Sequence, residues 1–480
     1  METAMADVIV VGAGPTGLLL AGDLAEAGVS VRLLERRSGE MSNLSRAFAV
    51  HARTMEVLDA RGLAENLQAT GVARLTEARL FERVHANFGQ LPSRFAYLLI
   101  TAQYNVEQVL LERAVKAGVR IDYQATVVDV RQDGSRVAAD VAGPDGAVAT
   151  HHAAYLVGAD GIRSAVREAI GVPFPGRSVL RSIMLADVRL REEPATALTV
   201  NGAGEEFAFV APFGDGWWRI FCWDRRREVP DDAPLSLDEV RAVTVRALGT
   251  DFGMHDPRWL SRFHSDERQA PQYRVRRVFL VGDAAHCHSP AGGLGMNTGL
   301  QDAANLSWKL VSVLRGAPDA LLDTYHAERH PVGRQVVRIS GTIIRLAMLK
   351  PRLARALRGL IGGTVVRIPA VQRRLVGRLS GVGFAYRAPR AAHKLVGTRM
   401  ADFALADGTR LYEALRGGRF AVVGAADITG FEDRVRSITP AGWTAPAVLV
   451  RPDGHIGATF DHADRAAVRP ALISLCGRPS

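Results

Sequence analysis

Apolar residues run unbroken through Val8-Ile9-Val10-Val11, stop at Gly12-Ala13-Gly14-Pro15-Thr16-Gly17, and return at helical spacing over residues 15 to about 27. A short apolar run closed by glycine suits a buried parallel strand, and the 3.6-residue period after it suits a helix packed on that strand. A second apolar run, Val31-Arg32-Leu33-Leu34, ends on Glu35. Helical spacing recurs over residues 54–61, closed by Gly62 in a C-cap position, and over about 106–116, running to Gly118. Strand-like stretches at 121–130 and 136–141 are joined through Asp133-Gly134. From about residue 177 to 268 strand-length segments such as 207–210 and 217–223 dominate, with one helix near 237–248, which predicts an inserted sheet. The strand-then-helix pattern resumes at Val278-Phe279-Leu280-Val281, with a long helix from near Asn297. Beyond roughly residue 388, a helix at about 411–416 and strands at 420–424 and 447–457, the latter around Pro452-Asp453-Gly454, predict a third module.

The first turn carries chemistry. Gly12, Gly14 and Gly17 have G-x-G-x-x-G spacing between a strand and a helix, where glycine permits a tight turn, close approach of a pyrophosphate and close helix packing. Glu35, at the end of the next strand, is placed to accept ribose hydroxyls and would repel a 2′-phosphate, so FAD or NAD suits the site better than NADP. A glycine-rich turn without a ligand is the plainer alternative. Two more glycine stretches stand far away: Gly158-Ala159-Asp160-Gly161-Ile162-Arg163-Ser164 and Gly282-Asp283-Ala284-Ala285-His286. Asp160 either serves the same ligand or caps a helix beginning near Ser164.

Composition narrows the classes. A chain of 480 residues, 48% hydrophobic, is too long for one core and predicts two or three domains. The N-terminus lacks a basic, apolar leader pattern, and no apolar run approaches the ~18 residues of a membrane span, so a cytoplasmic protein is expected. Cys222, Cys287 and Cys476 are too scattered for a disulfide framework or a C-x-x-C motif. Adjacent His286, Cys287 and His288 diverge on a loop, so no metal is expected and His286 is expected to order the turn around Asp283. The net charge of +10 is local: residues 329–401 hold 16 Lys/Arg and no acid, leaving 44 basic against 50 acidic residues elsewhere. Amphipathic helix with outward arginines is predicted at 343–349 and 353–358, as a solvated surface or as a patch for a membrane, an acidic partner or cofactor phosphates. Nucleic acid is not expected, because no aromatic residues suited to stacking are interleaved with those arginines.

In combination, Gly12 to Gly17 with Glu35, Asp160 to Ser164 with Arg167, and Gly282-Asp283 through Pro290-Ala291-Gly292-Gly293-Leu294-Gly295-Met296-Asn297 resemble the three fingerprints of class A flavoprotein monooxygenases, relatives of para-hydroxybenzoate hydroxylase. Within that family the chain is similar to the polyketide (angucycline) hydroxylases and rifampicin monooxygenase. The resemblance implies an α/β, multi-domain α+β chain: a Rossmann-like FAD-binding domain (1–176 and 269–387), an inserted β-sheet substrate domain (177–268), and a thioredoxin-like C-terminal domain (388–480) without redox cysteines.

It also implies that FAD is held by Gly12, Gly14, Pro15, Thr16, Gly17, Glu35, Arg36, Arg46, Gln103 beside the ribityl chain, Val127 near the adenine, Asp160, Asp283 at a ribityl hydroxyl, Pro290, Gly293, Gly295, Met296 and Asn297. Arg46 and Pro290 are its catalytic candidates. Phe209, Phe213 and Trp218, from an aromatic cluster in the inserted sheet, are candidates for the substrate wall, with plain core as the alternative. No second G-x-G-x-x-G unit is apparent, so NADPH or NADH is expected as a transient co-substrate. The implied reaction hydroxylates a polycyclic aromatic or polyketide-type small molecule with dioxygen, through a flavin C4a-hydroperoxide, in antibiotic biosynthesis. A flavin-dependent reductase or dehydrogenase, or a drug-sequestering flavoprotein without turnover, are the rival readings. A homodimer is left open.

Overall fold

The computed structural model describes residues 5–40, 47–80, 84–203, 205–347, 349, 368–405, 407–424, 427–440, 443, 446–460 and 468–479. Six strands of an eight-stranded sheet run in the order Arg274–Val275, Val278–Leu280, Val148–Gly158, Ala6–Val11, Val31–Glu35, Arg120–Tyr123, and the other two, Val137–Ala142 and Thr126–Gln132, branch from Val148–Gly158. The strands from Val278–Leu280 to Arg120–Tyr123 are parallel. Ile9, Leu33, Leu156 and Phe279 are fully buried, as continuous apolar runs covered on both faces should be. Helices Pro15–Glu26 and Gly295–Leu314 lie together against this sheet, and the second is buried over most of its length. The stretch 121–130 is two strands, not one. Gln124 adopts φ +54, which ends the parallel strand at Tyr123 and lets Thr126–Gln132 pair antiparallel with Val137–Ala142.

The inserted sheet has six strands, ordered Thr199–Ala203, Glu206–Gly214, Trp217–Asp224, Gly176–Arg189, His255–Gln269, His286–Cys287. Its last strand follows directly from the third glycine motif, so the sheet is stitched to the domain of the eight-stranded sheet by Arg268 pairing with Cys287 and Gln269 with His286. Helix Leu237–Leu248 covers its outer face. Ser236 accepts the Glu239 N–H as N-cap and Gly249 closes the helix at φ +85. A cap of this kind contributes ~1 kcal/mol.

The C-terminal module is a four-stranded mixed sheet, Val435–Ile438, Phe420–Val423, Ala447–Val450, Ile456–Phe460, whose core continues into the main domain through Trp308. Residues 350–367 lie outside the described part, so the amphipathic prediction at 353–358 does too. Ile343 and Ile344 fall in the last turn of helix Asp323–Ala347.

Candidate active site

The glycine turn is built as its spacing predicts. Gly12 sits at φ +103, and a Cβ there would stand 2.5 Å from Ala159 O. A Cβ on Gly17 would stand 1.9 Å from Gly12 O. Gly14 differs: its φ is −75, and nothing lies within 4 Å of where its Cβ would be. It is the N-cap of helix Pro15–Glu26 and supplies no side-chain cap, so the first-turn N–H groups have no capping acceptor from it. Such a terminus favours an anion, as a pyrophosphate requires.

Glu35 is buried at the end of its strand and accepts from Ala13 N–H at 2.6 Å and from Arg37 N–H at 2.9 Å and Nε–H at 3.0 Å. Burial opposes its charge, yet these bonds hold its pKa below the usual carboxylate value. Arg36 is exposed beside it. Arg37, which sequence reasoning missed, is the arginine that meets Glu35 and also Ala13 O. Val127 is buried next to this corner, where Ala125 N–H reaches Glu35 O.

Asp160 lies where the helix-capping alternative placed it. Its carboxylate accepts from Ser164 Oγ at 2.6 Å and Val166 N at 3.1 Å, and Ser164 is the N-cap of helix Ala165–Ala169. Arg167 ties this motif to the next one, donating to Ala284 O at 3.0 Å while stacking 3.9 Å over Phe174.

The third motif turns sharply after Val278–Leu280 into the short turn Gly282–Ala284, with Gly282 at φ +58 and Asp283 exposed. Thr16 wedges against it: its Oγ1 would lie 2.9 Å from a Cβ on Gly282 and 2.4 Å from one on Gly299. First and third motifs therefore meet at Thr16. His286 does order this turn, but through Asp302: Asp302 Oδ2 is 2.7 Å from His286 Nε2 and 3.2 Å from Gly282 N, while Arg329 Nε donates to Oδ1 at 2.6 Å.

The loop from Pro290, which is exposed, to Gly295 carries Gly292 and Gly293 at φ +85 and +64. Asn297 pins it by donating to Ala49 O and Gly293 O, both at 2.8 Å, and by accepting from His51 N–H at 2.9 Å. The His51 ring bonds Gly292 O at 2.8 Å. Helix Gly295–Leu314, with Met296 half-buried in its first turn, likewise begins without a side-chain cap. Gln103 holds Ala47 through backbone and side chain, which fixes the chain just after Arg46; Arg46 itself lies outside the described residues. These features fit FAD: two uncapped helix starts, open space at Gly14, and carboxylates at Glu35 and Asp283.

His51 carried no signal in the sequence, and it brings a pH dependence. Burial pushes its pKa down to about 4, and those of His288 and His455 likewise. Unfolded, each ring would titrate near 6.5. Below that value the unfolded chain takes up protons that the folded chain does not, so the stability these rings contribute is complete above ~pH 6.5 and declines as pH falls toward ~4. The melting temperature is expected to fall through this window, and to fall less steeply in His51→Asn; a melting temperature flat from pH 6.5 to 4.5 contradicts the assignment.

The wall facing this loop is aromatic. Phe207, Phe209, Phe221, Trp223 and Phe263 share one face of the inserted sheet and cluster with Phe48, Ile344 and Ala291 of the glycine loop. Ring centroids of Phe48 and Phe209 are 5.1 Å apart. Phe213 continues this face: it lies 3.6 Å from the Arg219 guanidinium, itself paired with Asp187 at 2.7 Å, and meets Tyr104 edge-on. Trp218 does not belong to this wall. Trp218 pairs with Pro212 in the regular register of this hairpin, so plain alternation sets it with Ile220 and Cys222 on the face away from Phe221, where it packs with Val240, Val243 and Ala247. Phe209→Ala is expected to weaken binding of an aromatic ligand about tenfold or more, and Trp218→Ala to lower stability by about 3–5 kcal/mol with ligand affinity kept. Ligand titration of both variants checks this.

The cysteines Cys222, Cys287 and Cys476 are all buried and free, and burial pushes the first two thiols up to about 12. Among the described residues no helix is long and apolar enough to cross a membrane.

Residues 5–340 match the family described as FAD binding domain, and residues 393–479 match that described as aromatic-ring hydroxylase, C-terminal. Rifampicin monooxygenase of Streptomyces venezuelae is 40% identical over 462 residues, covering 94% of this chain and 95% of its own. Among solved structures, the OxyS anhydrotetracycline hydroxylase from Streptomyces rimosus superposes with TM-score 0.86 at 35% identity, covering 99% of this chain and 100% of that one. CabE, an aromatic hydroxylase from angucycline biosynthesis, gives TM-score 0.86 at 36% identity, with 99% and 100% covered. On a fold whose glycine turns, carboxylates and aromatic wall already point the same way, these likenesses place the chain in the family of FAD-dependent aromatic-ring monooxygenases.

Proposed function

We propose that this enzyme uses NADPH or NADH to reduce FAD and then transfers one oxygen atom of dioxygen to a polycyclic aromatic, polyketide-type small molecule. The observation that carries this reading is the packing of Ala291, in the glycine loop, into the aromatic cluster of Phe48, Phe209 and Phe221. It sets a flat, apolar wall beside the loop that would hold the flavin ring, a shape and polarity suited to fused aromatic rings.

Bound FAD supplies hydride acceptance and the activation of dioxygen; the chain supplies binding, charge and exclusion of water. Glu35 would accept the ribose hydroxyls, and Asp283 a ribityl hydroxyl. The first-turn N–H groups of helix Pro15–Glu26, those of Thr16 and Gly17, would hold the pyrophosphate. The start of Gly295–Leu314, with Gly293, Gly295, Met296 and Asn297, would favour the negative charge that reduction places on the pyrimidine edge of the flavin. Arg46 and Pro290 are proposed as contacts of the reacting centre, Arg46 because a guanidinium keeps its charge at any working pH and can attract a phenolate.

The test is aerobic incubation with NADPH or NADH and a panel of anthraquinones, angucyclinones and rifamycins. The expected result is substrate-stimulated nicotinamide oxidation with a product heavier by one oxygen atom. Nicotinamide oxidation with an artificial acceptor under anaerobic conditions, and no oxygenated product in air, would instead describe a reductase.

A further inference from the structure

Three segments meet the proposed flavin site, and each continues into one turn of the C-terminal module. His51, which bonds the glycine loop, leads into helix Ala52–Asp59, where buried Arg53 donates to Asp453 O and Tyr412 Oη and touches His455 Nδ1 at 3.3 Å. Helix Gly295–Leu314, whose start faces the flavin site, is held at its middle by Asn305 Nδ2 donating to Asp453 Oδ2 at 3.1 Å. Asp302, which fixes the Gly282–Ala284 turn, is held by Arg329, and Arg329 donates to Tyr386 Oη at 3.3 Å. The Tyr386 ring in turn lies over His455 at 4.2 Å. Arg451 completes the arrangement by donating to Glu328 Oε1 at 2.8 Å and Asp453 Oδ1 at 3.0 Å. Arg53, Asn305, Arg329, Arg451, Asp453 and His455 are all at most 4% exposed.

We propose that the turn from Arg451 to His455 is a positioning element for the flavin: it holds the glycine loop, the ribityl-side turn and the helix start in register, although it touches no part of the cofactor. Buried charged groups with every partner in place allow one geometry and resist slippage, because any displaced member is left desolvated and unpaired. An apolar interface of the same area would hold the module on without fixing the three segments relative to one another. The module's cysteine, Cys476, is buried and solitary, which leaves it no dithiol chemistry. Positioning is the role its contacts support.

The inference rests on the FAD-binding reading, so unmodified full-length protein is titrated first; failure of that protein to bind FAD rejects the reading itself. Tyr386→Phe and Asp453→Asn are then prepared in the full-length chain. Each is expected to raise the Kd for FAD about tenfold, the factor that one lost charge-assisted hydrogen bond is worth. Each should also increase the hydrogen peroxide released per nicotinamide oxidised, because a shifted flavin no longer faces its substrate. Phe431→Leu is the control: it thins the module's own core away from the turn, and should lower the melting temperature while leaving Kd unchanged. Tyr386→Phe keeps the ring over His455 and removes only a hydroxyl, so it decides the matter should Asp453→Asn not fold. Kd values equal to that of the unmodified protein in the folded variants, or an equal rise in Phe431→Leu, would overturn the proposal.

Discussion

Asp302→Ala is expected to lower the stability of the apoprotein by about 3–5 kcal/mol, the cost of removing one partner from a buried charge pair, and to yield protein that loses FAD on desalting. Asp302 is fully buried and serves three groups at once: Gly282 N–H, the His286 ring and the Arg329 guanidinium. Burial opposes its charge, but Arg329 and His286 hold its pKa below the ordinary value. The carboxylate is therefore ionised in the fold, and its loss strands an arginine that is 1% exposed. The effect on FAD follows from Gly282, because its N–H bond to Asp302 helps set where Asp283 projects. Asp302→Asn retains an acceptor and should be damaged less. Urea denaturation with flavin retention checks both; a loss under about 1 kcal/mol with FAD retained contradicts the network's role.

Gly14→Val separates binding from folding. The position has an ordinary φ of −75 and empty surroundings, so the fold has room for the side chain. Valine is a poorer N-cap than glycine, a penalty of about 1 kcal/mol or less. The space it fills is the space proposed for the pyrophosphate, so FAD affinity is expected to fall about a hundredfold or more, equivalent to ~2.7 kcal/mol. Gly17→Ala is the contrasting case. Its Cβ meets Gly12 O at 1.9 Å, which forces the helix off the strand and should destabilise the apoprotein as well. The pair is read by calorimetry on apoprotein and by FAD titration. A Gly14→Val protein that binds FAD normally would place the pyrophosphate elsewhere.

The local parts of this site were legible in the chain because their causes are local. A glycine turn between a strand and a helix, or an acid at a strand end, needs only neighbours along the sequence to be recognised, and Gly12, Gly17 and Glu35 stand where that pattern puts them. Arg36 and Arg37 show the limit: at a strand end, which of two adjacent arginines turns inward depends on the path of the chain, and it is Arg37 that meets Glu35. Trp218 is the opposite case: alternation along Trp217–Asp224 sets it with Ile220 and Cys222, on the face away from Phe221 and Trp223, so its exclusion from the aromatic wall is legible in the sequence. Gln124, at φ +54, breaks one apparent strand into two, a local exception that no apolar pattern announces. His51, Asn305 and the turn from Arg451 to His455 could not be read at all, since their partners lie as far as 402 residues away in the chain.

The most direct test of the whole account is turnover under ¹⁸O-labelled dioxygen, with the product examined by mass spectrometry. FAD-dependent oxygenation predicts one ¹⁸O atom in the product, formed only when FAD, a nicotinamide donor and the aromatic substrate are all present. Product whose oxygen comes from water, or nicotinamide oxidation that yields only peroxide with every aromatic substrate offered, would contradict it.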